Sequence, residues 1–145
     1  MRRLFWRTLL LTAVTAAASA CDNSNNSVPT TPTTIPTVLT ETFSGTLVKN
    51  AAYTHPFSVT DSGDVSVFLV QSVDPAQPDN NAIPIGVSLG TWNGTSCSVV
   101  IASDNISPGA SLTGRATAAG NLCVRVYDIG FVPGAANYEL LIDHY

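Results

Sequence analysis

From residue 41 to the end of the chain, apolar residues come in short runs rich in Val, Ile, Thr and aromatics, and turn-forming residues separate them. None of these runs has a convincing helical period, and each reads as a strand. Phe43 and Leu47 alternate with polar neighbours in ETFSGTLV (41–48), and AYTHPFSV (52–59) follows. Asp61-Ser62-Gly63-Asp64 is a tight turn. VSVFLVQSV (65–73) is apolar on both faces for part of its length, as expected of a central strand. DPAQPDNNA (74–82) is a long loop. IPIGVSLGTW (83–92) is a strand, with Pro84 near its start, where a missing N–H is tolerated. Asn93-Gly94 signals a hairpin turn. CSVVIAS (97–103), ASLTGRAT (110–117), NLCVRVYDI (121–129) and NYELLID (137–143) complete the set. About eight short antiparallel strands with regular turns predict an all-β fold, a β-sandwich.

The first forty residues follow another pattern. Arg2, Arg3 and Arg7 precede an apolar stretch of Leu and Ala, which ends at Ala18-Ser19-Ala20. This predicts an export signal over 1–20. The apolar stretch is shorter than the ~20 residues that a membrane span needs, and Gly, Pro or charge breaks every later apolar run. Residues 22–40, DNSNNSVPTTPTTIPTVLT, include Pro29, Pro32 and Pro36 and few large apolar groups. Such a segment cannot bury enough surface to offset its ordering entropy, and its prolines favour an extended form. The expected organisation is a leader (1–20), a tether (21–40) and one sandwich domain (41–145).

The sequence has three cysteines, Cys21, Cys97 and Cys123. Exported proteins form disulfides, and Cys97 and Cys123 both lie in predicted strands where they can pair; two free thiols are the alternative. Cys21 is then left over in a polar tail. Its context, ASAC (18–21), resembles a bacterial lipobox, after which the new N-terminal cysteine is acylated; Ala18 stands where Leu is usual. The same letters fit an ordinary A-x-A cleavage site, so two processing routes stay open. Lipidation would use Cys21 up chemically, and the resemblance implies a diacyl or triacyl form carrying chains such as palmitate. Two or more chains give stable anchoring, where one is marginal. The expected address is the bacterial cell envelope.

Charge supports a covalent anchor. Three of the six Lys and Arg lie in the leader, leaving Lys49, Arg115 and Arg125 against ten acids, a net charge of −7 without the leader. A chain this acidic lacks the basic patch that nucleic acid requires, and anionic lipid repels it too. The expected partners are the membrane, through the lipid, and a protein or glycan of the envelope.

The order THPFSVTDSGDVSVFLV, IGVSLGTWNG, GNLCVRVYDIG, NYELLID resembles the bacterial pre-peptidase C-terminal domain family over most of residues 43–143. Phe57 and Val59 match the pair that opens that sandwich. Gly120, Val124, Val126, Tyr138, Leu140 and Ile142 match the pair that closes it. The resemblance implies an eight-stranded, jelly-roll-like sandwich that is not catalytic and serves as an accessory module. Acids that many relatives carry in a D-x-D-L-type strand have no counterpart in AIPIGVSLG (82–90).

The remaining chemistry is sparse. GVSLG (86–90) fits a G-x-S-x-G nucleophile elbow, and Ser88, Asp128 and His144 fall in hydrolase order. The motif needs a helix after the serine, but Trp92-Asn93-Gly94 leads into another strand; an ordinary solvent-facing strand serine is expected. Asp61, Asp64, Asp74 and Asp79 supply hard oxygen ligands on loops, the kind Ca²⁺ takes, but turns favour Asp for local hydrogen bonding as well. His55 and His144 are too few and too scattered for zinc, and His55, before Pro56, is expected at a strand start. Trp92, Tyr53, Tyr127, Phe131 and Tyr145 are candidates for an aromatic sugar platform, Trp92 foremost. No cofactor is expected. The leading expectation is a non-catalytic protein-binding or accessory module. A carbohydrate-binding module is the alternative and a small serine hydrolase the remote one.

Overall fold

A computed structural model of the chain describes residues 35–79 and 83–145. Within them lie eight strands: β1 (Leu39–Val48), β2 (Ala52–Val59), β3 (Gly63–Val73), β4 (Ile85–Trp92), β5 (Cys97–Ile106), β6 (Ser111–Ala116), β7 (Gly120–Tyr127) and β8 (Ala135–His144). The expected export signal, Cys21 and most of the expected tether lie outside the described residues. Among the described residues, no helix is long and apolar enough to cross a membrane.

The strands form two four-stranded sheets, with orders β1-β8-β3-β6 (sheet I) and β2-β7-β4-β5 (sheet II). Every pairing is antiparallel. The topology follows one rule: first pairs with last, second with seventh, third with sixth, and fourth with fifth. The chain is one long hairpin whose tip is the β4–β5 turn, rolled so that successive pairs alternate between sheets. This is the jelly-roll arrangement. The tip has local support. Gly94 has φ +95°, and the Asn93 side-chain oxygen accepts hydrogen bonds from the N–H groups of Thr95 and Ser96, a side-chain-capped turn.

Alternate residues of each strand point inward. Val65, Val67 and Leu69 of β3 and Leu140 and Ile142 of β8 meet Ile85, Val87 and Leu89 of β4 and Val124 and Val126 of β7 in one buried cluster. Phe43 and Leu47 from β1 and Phe57 and Val59 from β2 close its sides. Gly45 makes room for Tyr138: a Cβ there would lie 2.7 Å from the Tyr138 hydroxyl oxygen.

Two local expectations need correction. Pro84 lies just before β4 and not inside it. His55 is the fourth residue of β2, not its start. It sits on the inner face, and its Nε2 shares a hydrogen bond of 2.7 Å with the Tyr138 hydroxyl across the sandwich. Pro56 follows it inside β2 because β2 is the edge of sheet II, where a missing N–H breaks no central ladder. β3 is a central strand of sheet I, between β8 and β6, as its apolar run predicts, and β4 is the strand buried most completely on both faces. Six successive β4 residues, Ile85 to Gly90, are buried, whereas Phe68 of β3 is exposed.

Burial lowers the His55 pKa from its ordinary 6.5. The unfolded chain therefore takes up a proton at a higher pH than the folded one. Stability is greatest above 6.5 and falls as pH drops from there toward the lower folded value. Urea unfolding at a series of pH values checks this. The slope between about pH 7 and pH 5 is expected to be shallower in His55→Gln, and an unchanged slope would show that His55 does not carry it.

Candidate functional site

The outer face of β4 carries Gly86, Ser88 and Gly90, and two links cross this strand from β7 to β5. Tyr127 of β7 stands opposite Gly86. Its ring occupies the place of the missing side chain, since a Cβ on Gly86 would lie 2.2 Å from the ring. The Tyr127 hydroxyl donates to Asp104 of β5 at 2.5 Å. The Tyr127 pKa is pushed up to about 12, by burial first, then by the Asp104 hydrogen bond and charge, with Arg125 opposing. Further along, Cys123 of β7 stands opposite Gly90 and is bonded to Cys97 of β5, with Cα atoms 5.8 Å apart. A Cβ on Gly90 would lie 2.2 Å from the Ser98 carbonyl oxygen. The two glycines of GVSLG thus serve cross-strand packing: one lies under an aromatic ring, the other beside a disulfide and a neighbouring backbone.

Ser88 lies between these two links. It faces Arg125 on β7 and Ala102 on β5. The expected solvent-facing serine is corrected: Ser88 is 1% exposed, and its Oγ has no hydrogen-bond partner among the described residues. It lines a groove of about 470 Å³ that runs from Val99 and Ala102 across Ser88 and Arg125 to Ala52, Asn50 and Asp128. Small residues hollow it out, and Arg125 is its cation.

Asp128 stands on the rim, and its carboxylate holds the β7–β8 loop. One oxygen accepts the N–H groups of Gly130 and Val132, and the other accepts that of Asn50 at 2.8 Å. Asn50 itself has φ +60°, in the left-handed region that Asn tolerates. Partial burial pushes the Asp128 pKa up, but the N–H groups of Asn50, Val132, Gly130 and Phe131 outweigh this and hold it below the ordinary carboxylate value. Arg125 forms no ion pair among the described residues, whereas Arg115 pairs with Asp64 at 2.9 Å.

Ser88 and Asp128 share the groove, but His144 does not join them. It is buried in β8 of sheet I, its ring tilted against that of Phe57 with centroids 5.3 Å apart, and its Nε2 donates to Glu41 at 2.9 Å. The four calcium candidates are also apart. Asp61 and Asp64 flank the start of β3 and Asp74 and Asp79 follow its end, roughly 30 Å away at the strand rise. Asp61 and Asp74 accept N–H groups within their own turns. Among the described residues, no three His, Cys, Asp or Glu side chains are grouped as a metal site would need.

Trp92, Tyr127 and Tyr145 share no platform. Trp92 is six residues along β4 from Gly86, where Tyr127 lies, about 20 Å away. Trp92 lines its own shallow depression with Pro56, Ser58, Gly94 and Asn121. Tyr145 lies against Gly63 at the far end of β3. Sequence reasoning missed Arg125, Ala102 and Ala52. Their signal was present in the alternation of each strand, which puts all three on outward positions, but strand order is needed to bring them together. No known family model matches the chain, and no curated protein matches it.

Proposed function

We propose that this chain is a lipid-anchored protein of the bacterial cell envelope whose sandwich is a non-catalytic module that binds a protein partner. The observation that carries the binding reading is the groove on sheet II, with Arg125 unpaired at its side and the buried Ser88 hydroxyl unpartnered. Buried polar groups normally find partners, so a hydroxyl kept in a groove without one is suited to a ligand. Ser88 as a nucleophile would need a neighbouring base, and both imidazoles are engaged elsewhere, His55 with Tyr138 and His144 with Glu41. The anchor reading rests on ASAC (18–21), on the Pro- and Thr-rich stretch after it, and on the acidity of the chain.

Two measurements test this. The intact mass of the protein extracted from its membrane is expected to show acyl chains on a chain starting at Cys21; an unacylated chain would end the anchor reading. A photo-crosslinking residue at Thr54, exposed beside Arg125, is expected to trap one discrete protein in intact cells. The same residue at Thr42, on the outer face of sheet I, is expected to trap none. No adduct at Thr54, or equal adducts at both sites, would sink the protein-binding reading. The Trp92 depression favours a second, glycan reading, which glycan-array binding lost in Trp92→Ala would support.

A further inference from the structure

Arg125 is the cation of the groove, and the groove's own acids do not pair with it. Two carboxylates lie close to the groove, and both are engaged. Asp104 accepts the Tyr127 hydroxyl, and Asp128 faces the N–H groups of its loop. Arg125 is thus a cation without an ion pair among the described residues, in a domain with only three cations. Directly across the ladder is Ser88, whose hydroxyl is buried and unpartnered. Side chains facing each other in adjacent strands have Cβ atoms roughly 5 Å apart. A guanidinium and a hydroxyl at that spacing can reach one carboxylate together.

We propose that the groove takes the terminal carboxylate of a peptide, with Arg125 as the charged fork and Ser88 as the donor at the floor. This rests on the protein-binding reading and gives the partner's chemistry. Planar, bidentate pairing is what an arginine offers a carboxylate. The groove volume, about 470 Å³, lies within the range of small-ligand sites. Its other walls, Ala52, Ala102 and the half-exposed Val99, suit small apolar side chains next to the carboxylate. Charge decides between carboxylate sources. An acidic glycan brings one negative charge per ring toward a domain with three cations and nine acids from residue 41 onward, whereas a peptide terminus brings one.

The test uses the protein purified from its membrane in detergent, labelled at arginine nitrogen and followed by NMR at the Nε–H resonances. The probes are acetyl-trialanine with a free carboxylate, the same peptide as its carboxamide, and galacturonate. The Arg125 signal is expected to move with the acid and not with the carboxamide, while Arg115, paired with Asp64, stays still. Arg125→Gln is expected to weaken binding at least about tenfold, and Ser88→Ala about three- to tenfold. Ser88→Ala should also raise the melting temperature, because it removes a buried hydroxyl without a partner; weaker binding then cannot come from unfolding. Equal response to acid and carboxamide, or a response to galacturonate alone, would overturn the proposal. A protein trapped at Thr54 with equal yield in Arg125→Gln would remove the carboxylate site and leave the protein-binding reading standing. Peptide binding with no protein trapped in cells would do the reverse.

Discussion

Removing the Cys97–Cys123 disulfide is expected to cost about 3.5 kcal/mol, on the chain-entropy account of a bridge closing a loop of this length. The bridge spans 26 positions of sequence, and that loop includes β6 and both its connections. A loss of this size is a large part of the 5–15 kcal/mol typical of a domain. It corresponds to a fall in melting temperature of roughly 15–25 °C for about a hundred residues. The bridge also ties β7 to β5 across β4, where Gly90 leaves no room for a side chain. Denaturant unfolding with and without reductant, repeated on Cys97→Ala/Cys123→Ala, checks the value. The double variant should match the reduced wild type, and a cost below about 1 kcal/mol would show that the sheet ladder alone holds β5 in place.

The alternation of apolar and polar residues revealed strands with unusual clarity. AYTHPFSV matches β2 at both ends, and ASLTGRAT exceeds β6 by one residue on each side. Both are short, bounded by turn residues and half-buried, which is where period-2 reading works. It failed where burial comes from the next strand. In IGVSLG, Ser88 read as solvent-facing, yet it is buried, between the Tyr127 ring and the disulfide. A glycine declares that something approaches closely and does not say what. The register shifts between β4 and β5 are likewise invisible to a strict two-residue period.

The candidate site was legible only in fragments. Ser88 stood out for a motif that the fold uses differently, its glycines serving Tyr127 and the bridge region. Asp128 stood out as a third member of a triad and is instead the acceptor that holds the β7–β8 loop. Arg125 carried no local signal, since one arginine on an outward strand position is ordinary. Its meaning depends on Ser88, 37 residues earlier in the chain, and on two acids that form no ion pair with it. Contacts of that separation follow from strand order. The jelly-roll order itself was expected from a resemblance carried by core positions such as Val124, Val126, Leu140 and Ile142, not from any polar residue.

Leu140→Ala is expected to destabilise the domain by about 3–4 kcal/mol, in the middle of the range for buried leucines. Leu140 is fully buried at the middle of β8, facing Phe43 of β1 on one side and Leu69 of β3 on the other. β8 is hydrogen-bonded along both edges, so its backbone cannot move inward to fill the space. The cavity therefore persists, and its cost adds to the lost transfer free energy. Val100→Ala is the control: Val100 is 71% exposed on β5, and its truncation should change stability by less than about 0.5 kcal/mol. Equilibrium unfolding of both variants measures the difference. Leu140 belongs to sheet I, whereas the groove lies on the outer face of sheet II. Folded Leu140→Ala should therefore bind the peptide acid as the wild type does, while Arg125→Gln should lose binding at nearly wild-type stability. A Leu140→Ala loss under about 1 kcal/mol would mean that the sheets close over the gap, and weakened peptide binding in the folded fraction would then show that the groove changes shape with them.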